Sequence, residues 1–163
     1  MATTMNAREA ISAKMAKCYV WLDMDGDGEA ERYNFMSAIN VEVNFEKTKT
    51  EVPILGRMNA GHKATGSSIT GSAEFHYNTS VWVKIAEQFQ NNGSDLYFDM
   101  EIINDDPTAI EANRQGITLY DCNFDNITLA AFDADGDYLT QSMDFTAERF
   151  AISDHYNTVL YEI

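Results

Sequence analysis

At 163 residues, with 45% hydrophobic and 12% aromatic residues, the chain has the length and apolar content of one globular domain rather than a disordered tract. A formal net charge of -15 and a pI near 4.3 argue against wrapping nucleic acid, which needs Lys and Arg against phosphates, and against docking on an anionic membrane. No apolar run reaches the length of a membrane helix, and the start MATTMNAREAISAKMAK lacks the apolar core of a secretory signal. In chain order, residues 1–16 are expected to form an N-terminal arm, and Lys17 to Leu22 a short apolar strand. The segment Phe35 to Glu46 shows the clearest alternation. Phe35, Ile39, Val41, Val43 and Phe45 fall on one face, and Ala38, Asn40, Glu42, Asn44 and Glu46 on the other, the pattern of a half-buried strand.

The alternation stops at Glu51 and resumes near Gly71, so residues 47–70 are expected to form a long loop. Gly56, Gly61, Gly66 and Gly71 punctuate it at five-residue intervals. Connections of this length are usually functional or disordered, and two readings stand: a loop shaped to lie against another molecule, or a solvated surface loop. Beyond it Gly71, Ala73, Phe75 and Tyr77 alternate with Ser72, Glu74, His76 and Asn78. A helix follows over 80–92, capped by Thr79 or Ser80, with Trp82, Ile85, Ala86 and Phe89 as its apolar stripe and Gly93 past its end. Further strands are expected about Leu96 to Ile103, Ile117 to Phe124, Ile127 to Phe132 and Leu139 to Ile152. A parity switch between Leu119 and Tyr120 predicts a bulge. The fold class is therefore mainly β: a sandwich or barrel of antiparallel strands, with one packed α-helix and a long Gly-rich loop, in a single domain over 1–163.

Motifs for chemistry are weak. Asp23, Asp25, Asp27 and Gly28 open like an EF-hand calcium loop, but the twelfth position is Asn34 and the flanks read as strands, so a solvated hairpin tip fits better. These aspartates remain weak calcium candidates. Asp133, Asp135 and Asp137 repeat the theme at a second turn, where Asp135-Gly136 is itself a hairpin signal. Gly61 to Gly66 has the spacing of a phosphate-binding loop, yet Ser67 and Ser68 stand where Lys and Ser or Thr are required. His62, His76 and His155 are dispersed, without metal-ligand spacing. No nucleophile elbow occurs, and carboxylates are too plentiful for any pair to be diagnostic. No enzyme activity and no cofactor is expected. Cys18 and Cys122, inside apolar runs, are expected as buried free thiols in a reducing compartment.

The run GRMNAGHKATG from Gly56 to Gly66 is the centre of a wider resemblance. With it go Ile11, Ser12 and Lys14, Glu51, Thr79 and Ser80, Gly93-Ser94-Asp95, TLYDCNFD from Thr118 to Asp125, and DFTAERF from Asp144 to Phe150. In this order, the chain resembles the tail-tube proteins of contractile phage tails, in particular those of PBSX-like prophages. The resemblance implies rings of six subunits, stacked into a hollow tube, with strands joined into one inner barrel. It places Glu42, Asn44, Glu46 and Glu74 toward the lumen, on a face without Lys or Arg from Ala38 to Glu46 and from Ser72 to Asn78. It assigns Gly56, Arg57, Gly61, His62, Lys63 and Gly66 to contacts between rings. The implied partners are further copies of the chain, the tail sheath, tape measure, baseplate and tail terminator. DNA is implied only as non-specific cargo, and no membrane is bound. Assembly is implied in the bacterial cytoplasm, and the product is a virion tail or a DNA-free bacteriocin. Secretion-system tubes share this architecture, and a monomeric calcium-binding β-sandwich is the alternative from another class. The acidic tip Asp23 to Asn34 and the tail Asp154 to Ile163 depart from the family pattern.

Overall fold

The computed structural model describes residues 7–35, 37–109 and 114–156. The order of elements is β1 (Ala16–Leu22), β2 (Glu31–Asn34), β3 (Ala38–Val52), β4 (Gly61–His76), α1 (Val81–Asn92), β5 (Phe98–Asp105), β6 (Arg114–Ile127), β7 (Thr140–Ala147) and β8 (Arg149–Asp154). All strand pairs are antiparallel. One sheet runs β2-β1-β5-β6-β8 and the other β3-β4-β7-β6. They share β6, whose first half pairs with β5 and β8 and whose last residues pair with β7.

The transfer of β6 between sheets is built into its sequence. Leu119 faces Met100 and Cys122 faces Phe98, so an extra residue is inserted between them, and Asp121 takes a positive φ of 54°. This is the bulge that the parity switch beside Tyr120 predicts, and it lets both Leu119 and Cys122 reach the core. A second irregularity, at Asp125, precedes the pairing of Asn126 with Asp144.

The core lies between the sheets, with Val20, Leu22, Phe75, Met100, Leu119, Met143 and Phe145 fully buried. Helix α1 contributes Trp82 and Ile85, and Trp82 meets Phe35, Phe75 and Phe98 at ring-centroid distances of 5.3, 6.0 and 5.1 Å. Burying such side chains stabilises by roughly 1.5–3 kcal/mol each. The helix stops at Gly93, whose φ of 69° lets its N–H reach Phe89 O at 2.9 Å. Phe89 itself is half exposed, so the buried stripe is shorter than the spacing suggests. Cys18 and Cys122 are buried and unpaired, and burial pushes both thiols up to about 12, with the charges of Asp99 and Asp121 adding to the effect at Cys122.

Before β1, the arm is tied down by one carboxylate. Asp106, almost fully buried, accepts the Thr108 hydroxyl (2.6 Å), the Ser12 N–H (2.8 Å) and the Thr108 N–H (2.9 Å), and these hold its carboxyl below the usual range. The first six residues of the arm and the end of the C-terminal tail lie outside the described residues.

Several expected boundaries change. Residues 47–70 are not a loop: β3 and β4 pair from Ala38 to Val52, and only 53–60 are unpaired. Beyond Phe45 the hairpin leaves the body and both its faces are wet, so the two-residue hydrophobic period vanishes although the strands continue. Ile39 is exposed and Ala38 packs against the core instead, because a register shift between Ala38 and Asn40 reverses the parity there. The two strands expected at Ile117–Phe124 and Ile127–Phe132 are the single strand β6, after which 128–139 is not strand. The strand expected at Leu139–Ile152 breaks at Glu148, where the chain passes from one sheet to the other.

Candidate functional site

Two surfaces stand out, and both belong to the β3–β4 pair. The first is the wet face of the four-stranded sheet. Across it Glu42 lies opposite Ser72, Ser72 opposite Asp144, and Asp144 opposite Asn126. The next row is Asn40, Glu74 and Ser142, with the Thr128 hydroxyl 3.3 Å from that of Ser142. Asn44 lies opposite Thr70, and Glu46 opposite Ser68. Asn44 donates to the Glu42 carboxylate at 3.3 Å and Asn126 to that of Asp144 at 2.8 Å.

Thus Glu42, Asn44, Glu46 and Glu74 do share one face, and Asp144 joins them. Glu42, Asn44, Glu46 and Asp144 are exposed, and Glu74 is half-buried. No Lys or Arg lies on these rows among the described residues. Asp144, Ser142 and Asn126 were missed from sequence; the alternation of Thr140, Ser142, Asp144 and Thr146 was the available signal. The opposite face of β7 places Gln141, Met143, Phe145 and Ala147 in the core.

The second surface is the hairpin beyond Glu46. The four evenly spaced glycines do different things. Gly56 turns the tip with a φ of 82°, and Arg57 N–H closes that turn on Ile54 O at 3.2 Å. Gly61 opens β4 opposite Val52. Gly66 pairs with Thr48 beside a bulge, and Gly71 lies under the Phe145 ring, where a Cβ would collide. His62 faces Glu51 and Lys63 faces Thr50, all exposed. Lys47 and Lys49 continue the odd-numbered face of Phe45 outward, replacing apolar residues with cations. At the tip Leu55 and Met58 are fully exposed. Sequence reasoning missed all four, although the parity from Phe45 and the apolar letters of Pro53-Ile54-Leu55 were visible.

The aspartate turn is distinct from both. Oxygens of Asp23, Asp25 and Asp27 lie within 4.8 Å of one another between β1 and β2. Asp23 accepts the N–H groups of Gly26 (2.8 Å) and Gly28 (2.9 Å), and Asp27 accepts that of Glu29 (2.8 Å). Desolvation is the largest single influence and raises the Asp23 carboxyl, but the Gly28 and Gly26 N–H groups, with Asp25 and Asp27, together outweigh it and hold it below the usual range. Asp25 goes the other way: its own N–H lowers it, but the Asp27 charge and weak desolvation push it up. The turn is closed by its own backbone donors, as exposed Asp-Gly turns commonly are.

The match to known proteins covers nearly the whole chain. A family model described as phage tail tube protein matches residues 3–154. The chain belongs to the phage tail tube protein family. It is 35% identical over 150 residues to the phage-like element PBSX protein XkdM of Bacillus subtilis (strain 168), covering 92% of this chain and 95% of XkdM. Its fold is that of chains in two solved assemblies. One is in the extended PVC sheath-tube complex, an extracellular contractile injection system, with TM-score 0.62 and 15% identity over 90% of this chain and 93% of that one. The other is in the anti-feeding prophage baseplate, with TM-score 0.61 and 11% identity over 93% of this chain and 97% of that one. The chain is a tail tube protein of mainly antiparallel β architecture, with one α-helix among the described residues.

Proposed function

We propose that this tail tube protein acts by assembly alone, without cofactor or turnover: six copies join the β3-β4-β7-β6 sheet edge to edge into a ring, with the wet face inward. The observation that carries this reading is a four-stranded sheet whose one face is polar, acidic and free of cations, and whose outer strands β3 and the end of β6 have unpaired edges among the described residues. Open edges are an aggregation hazard, and joining them around a ring removes it. The apolar face then packs on the subunit's own core and the wet face lines the bore, with Glu42, Asn44, Glu46 and Glu74 in its wall beside Asp144.

An acidic bore suits passage of a polyanion. Duplex DNA carries one charge per ~1.7 Å, and a basic wall would hold it. A like-charged wall leaves it hydrated and mobile. Six copies give a formal charge of -90 (6 × -15), so burial at ring contacts must outweigh repulsion that salt screens beyond ~8 Å. Rings stack through the β3–β4 hairpin, whose tip carries Gly56 and Arg57 and whose stem carries Gly61, His62, Lys63 and Gly66. The sheath lies outside, the tape measure within, and the baseplate and terminator at the two ends. The particle is assembled in the bacterial cytoplasm and serves as a virion tail or a bacteriocin.

Negative-stain electron microscopy of the purified protein over a concentration series, with and without chelator, tests this. Hollow filaments or rings that persist in chelator are expected. Monomers alone, even at high concentration and with a baseplate template, would end the tube reading. A structure of the filament with Glu42, Glu46 and Glu74 on its exterior would overturn the assignment of the face.

A further inference from the structure

Between the edge strands β3 and β8 the sandwich does not close. Phe45 and Phe150 stand at its lip with their rings edge to face at 5.7 Å, and they are 52% and 43% exposed. Behind them Val41, Val43, Ile102 and Ile117 are only partly covered and line a cleft of about 390 Å³. An apolar cleft open along two edges is an unfinished interface.

A matching unfinished element sits at the hairpin tip. Leu55 and Met58 touch nothing that shields them from water. They cannot fill the cleft of their own chain: Val52, the last residue of β3, is seven residues beyond Phe45 on a strand rising ~3.3 Å per residue, so the tip begins about 23 Å away. Charge points the same way. Residues 47–66 hold Lys47, Lys49, Arg57 and Lys63 against Glu51 alone, a net +3, which leaves -18 for the rest of the chain (-15 - 3). Glu148 lies beside the cleft, and the nearby Arg149 guanidinium is already placed over the Tyr120 ring at 4.1 Å.

We infer that the cleft framed by Phe45 and Phe150 is the receptor for the Leu55–Met58 tip of a second copy of this chain. The tip inserts its two apolar side chains, and the basic stem of the hairpin lies along the acidic body of the recipient. The contact joins two different patches, so it is heterologous and propagates as an open stack rather than closing a pair. It rests on the tube reading and names the surface through which successive rings hold one another.

The test is a disulfide between chains. Cys18 and Cys122 are buried, so introduced thiols react over a low background. Leu55→Cys protein is mixed with Phe150→Cys protein, assembled and oxidised. A covalent dimer is expected from this mixture, and from the independent pair Met58→Cys with Ile117→Cys. Leu55→Cys with Ser142→Cys on the wet face should give none. The double variant Leu55→Ser/Met58→Ser, which keeps every charge, should lose filament growth while its circular dichroism matches wild type. Filaments that form from wild type with neither cleft pair linking would overturn the receptor and leave the tube standing. Absence of any wild-type assembly would remove the tube reading and this inference together.

Discussion

The two halves of the β3–β4 pair obey different rules. From Ala38 to Glu46 the pair belongs to the body: one face reaches the core through Val41, Val43, Ala73 and Phe75, and the other is wet and acidic. From Lys47 to Gly66 the same ladder continues with no body beneath it, both faces are exposed, and the charge reverses sign. A strand shows hydrophobic alternation only where one face is buried within its own chain. Where neither face is buried, the sequence shows instead an absence of period, here with an excess of one charge and exposed apolar residues at the turn.

Substitution should separate the halves, and the largest effect belongs to the body. Phe75→Ala removes a fully buried ring in contact with Phe35 and Trp82, and should cost about 3–5 kcal/mol in denaturant unfolding. A loss as small as that of an exposed site would mean the aromatic cluster does not organise the sandwich. Gly71→Ala comes next. The added methyl meets the Phe145 ring and the Glu42 carbonyl, so an overpacking cost of about 1–3 kcal/mol is expected. Gly66→Ala, with open space around it, should be close to neutral by the same measurement. The two glycines are spaced alike in sequence and differ only in which half they occupy.

That contrast marks how much could be read in advance. The helix, the core face of β3 through Val41 and Val43, the bulge beside Tyr120 and the acidic face were legible, because each rests on a period or a parity switch inside one chain. The hairpin carries no strand signal because neither of its faces is buried within the chain. The division of Leu139–Ile152 at Glu148 was invisible for a related reason. Both β7 and β8 alternate, and which sheet each joins is decided by long-range pairing with β4 or β6. Lys47, Lys49, Leu55 and Met58 lie outside any buried period, and only the parity from Phe45 and the apolar run at the turn set them apart.

A smaller effect concerns the arm. Asp106 holds Ser12 and Thr108 as a carboxylate, and its folded titration lies below the unfolded value of about 3.9. Its contribution is therefore complete above about pH 4 and is lost as pH falls through the lower folded value. Asp106→Asn should melt below wild type at pH 7, and the gap should narrow at pH 3. A gap unchanged between the two would show that the charge is not what fastens the arm.

At the projecting half, stability should hardly move while assembly fails. Arg57 and Lys63 are exposed, so Arg57→Glu/Lys63→Glu should leave the unfolding free energy within about 0.5 kcal/mol of wild type. Filament growth should nevertheless be lost, by electron microscopy at a concentration where wild type assembles. Normal growth would remove the hairpin from the ring contact.

The smallest effect on the isolated chain is expected on the wet face. Glu42→Gln/Glu46→Gln/Glu74→Gln keeps every shape and changes the net charge from -15 to -12. Glu42 and Glu46 are four residues apart on one strand, about 13 Å at ~3.3 Å per residue, which exceeds the ~8 Å screening length, so their mutual repulsion in a monomer is slight. The unfolding free energy should therefore stay within about 0.5 kcal/mol. In the proposed ring the same carboxylates of several copies would converge on one bore, and the field of a concave charged wall adds rather than cancels. The variant should accordingly assemble at lower salt than wild type. An unchanged salt dependence of filament growth would place this face on the outside of the tube, where charges diverge.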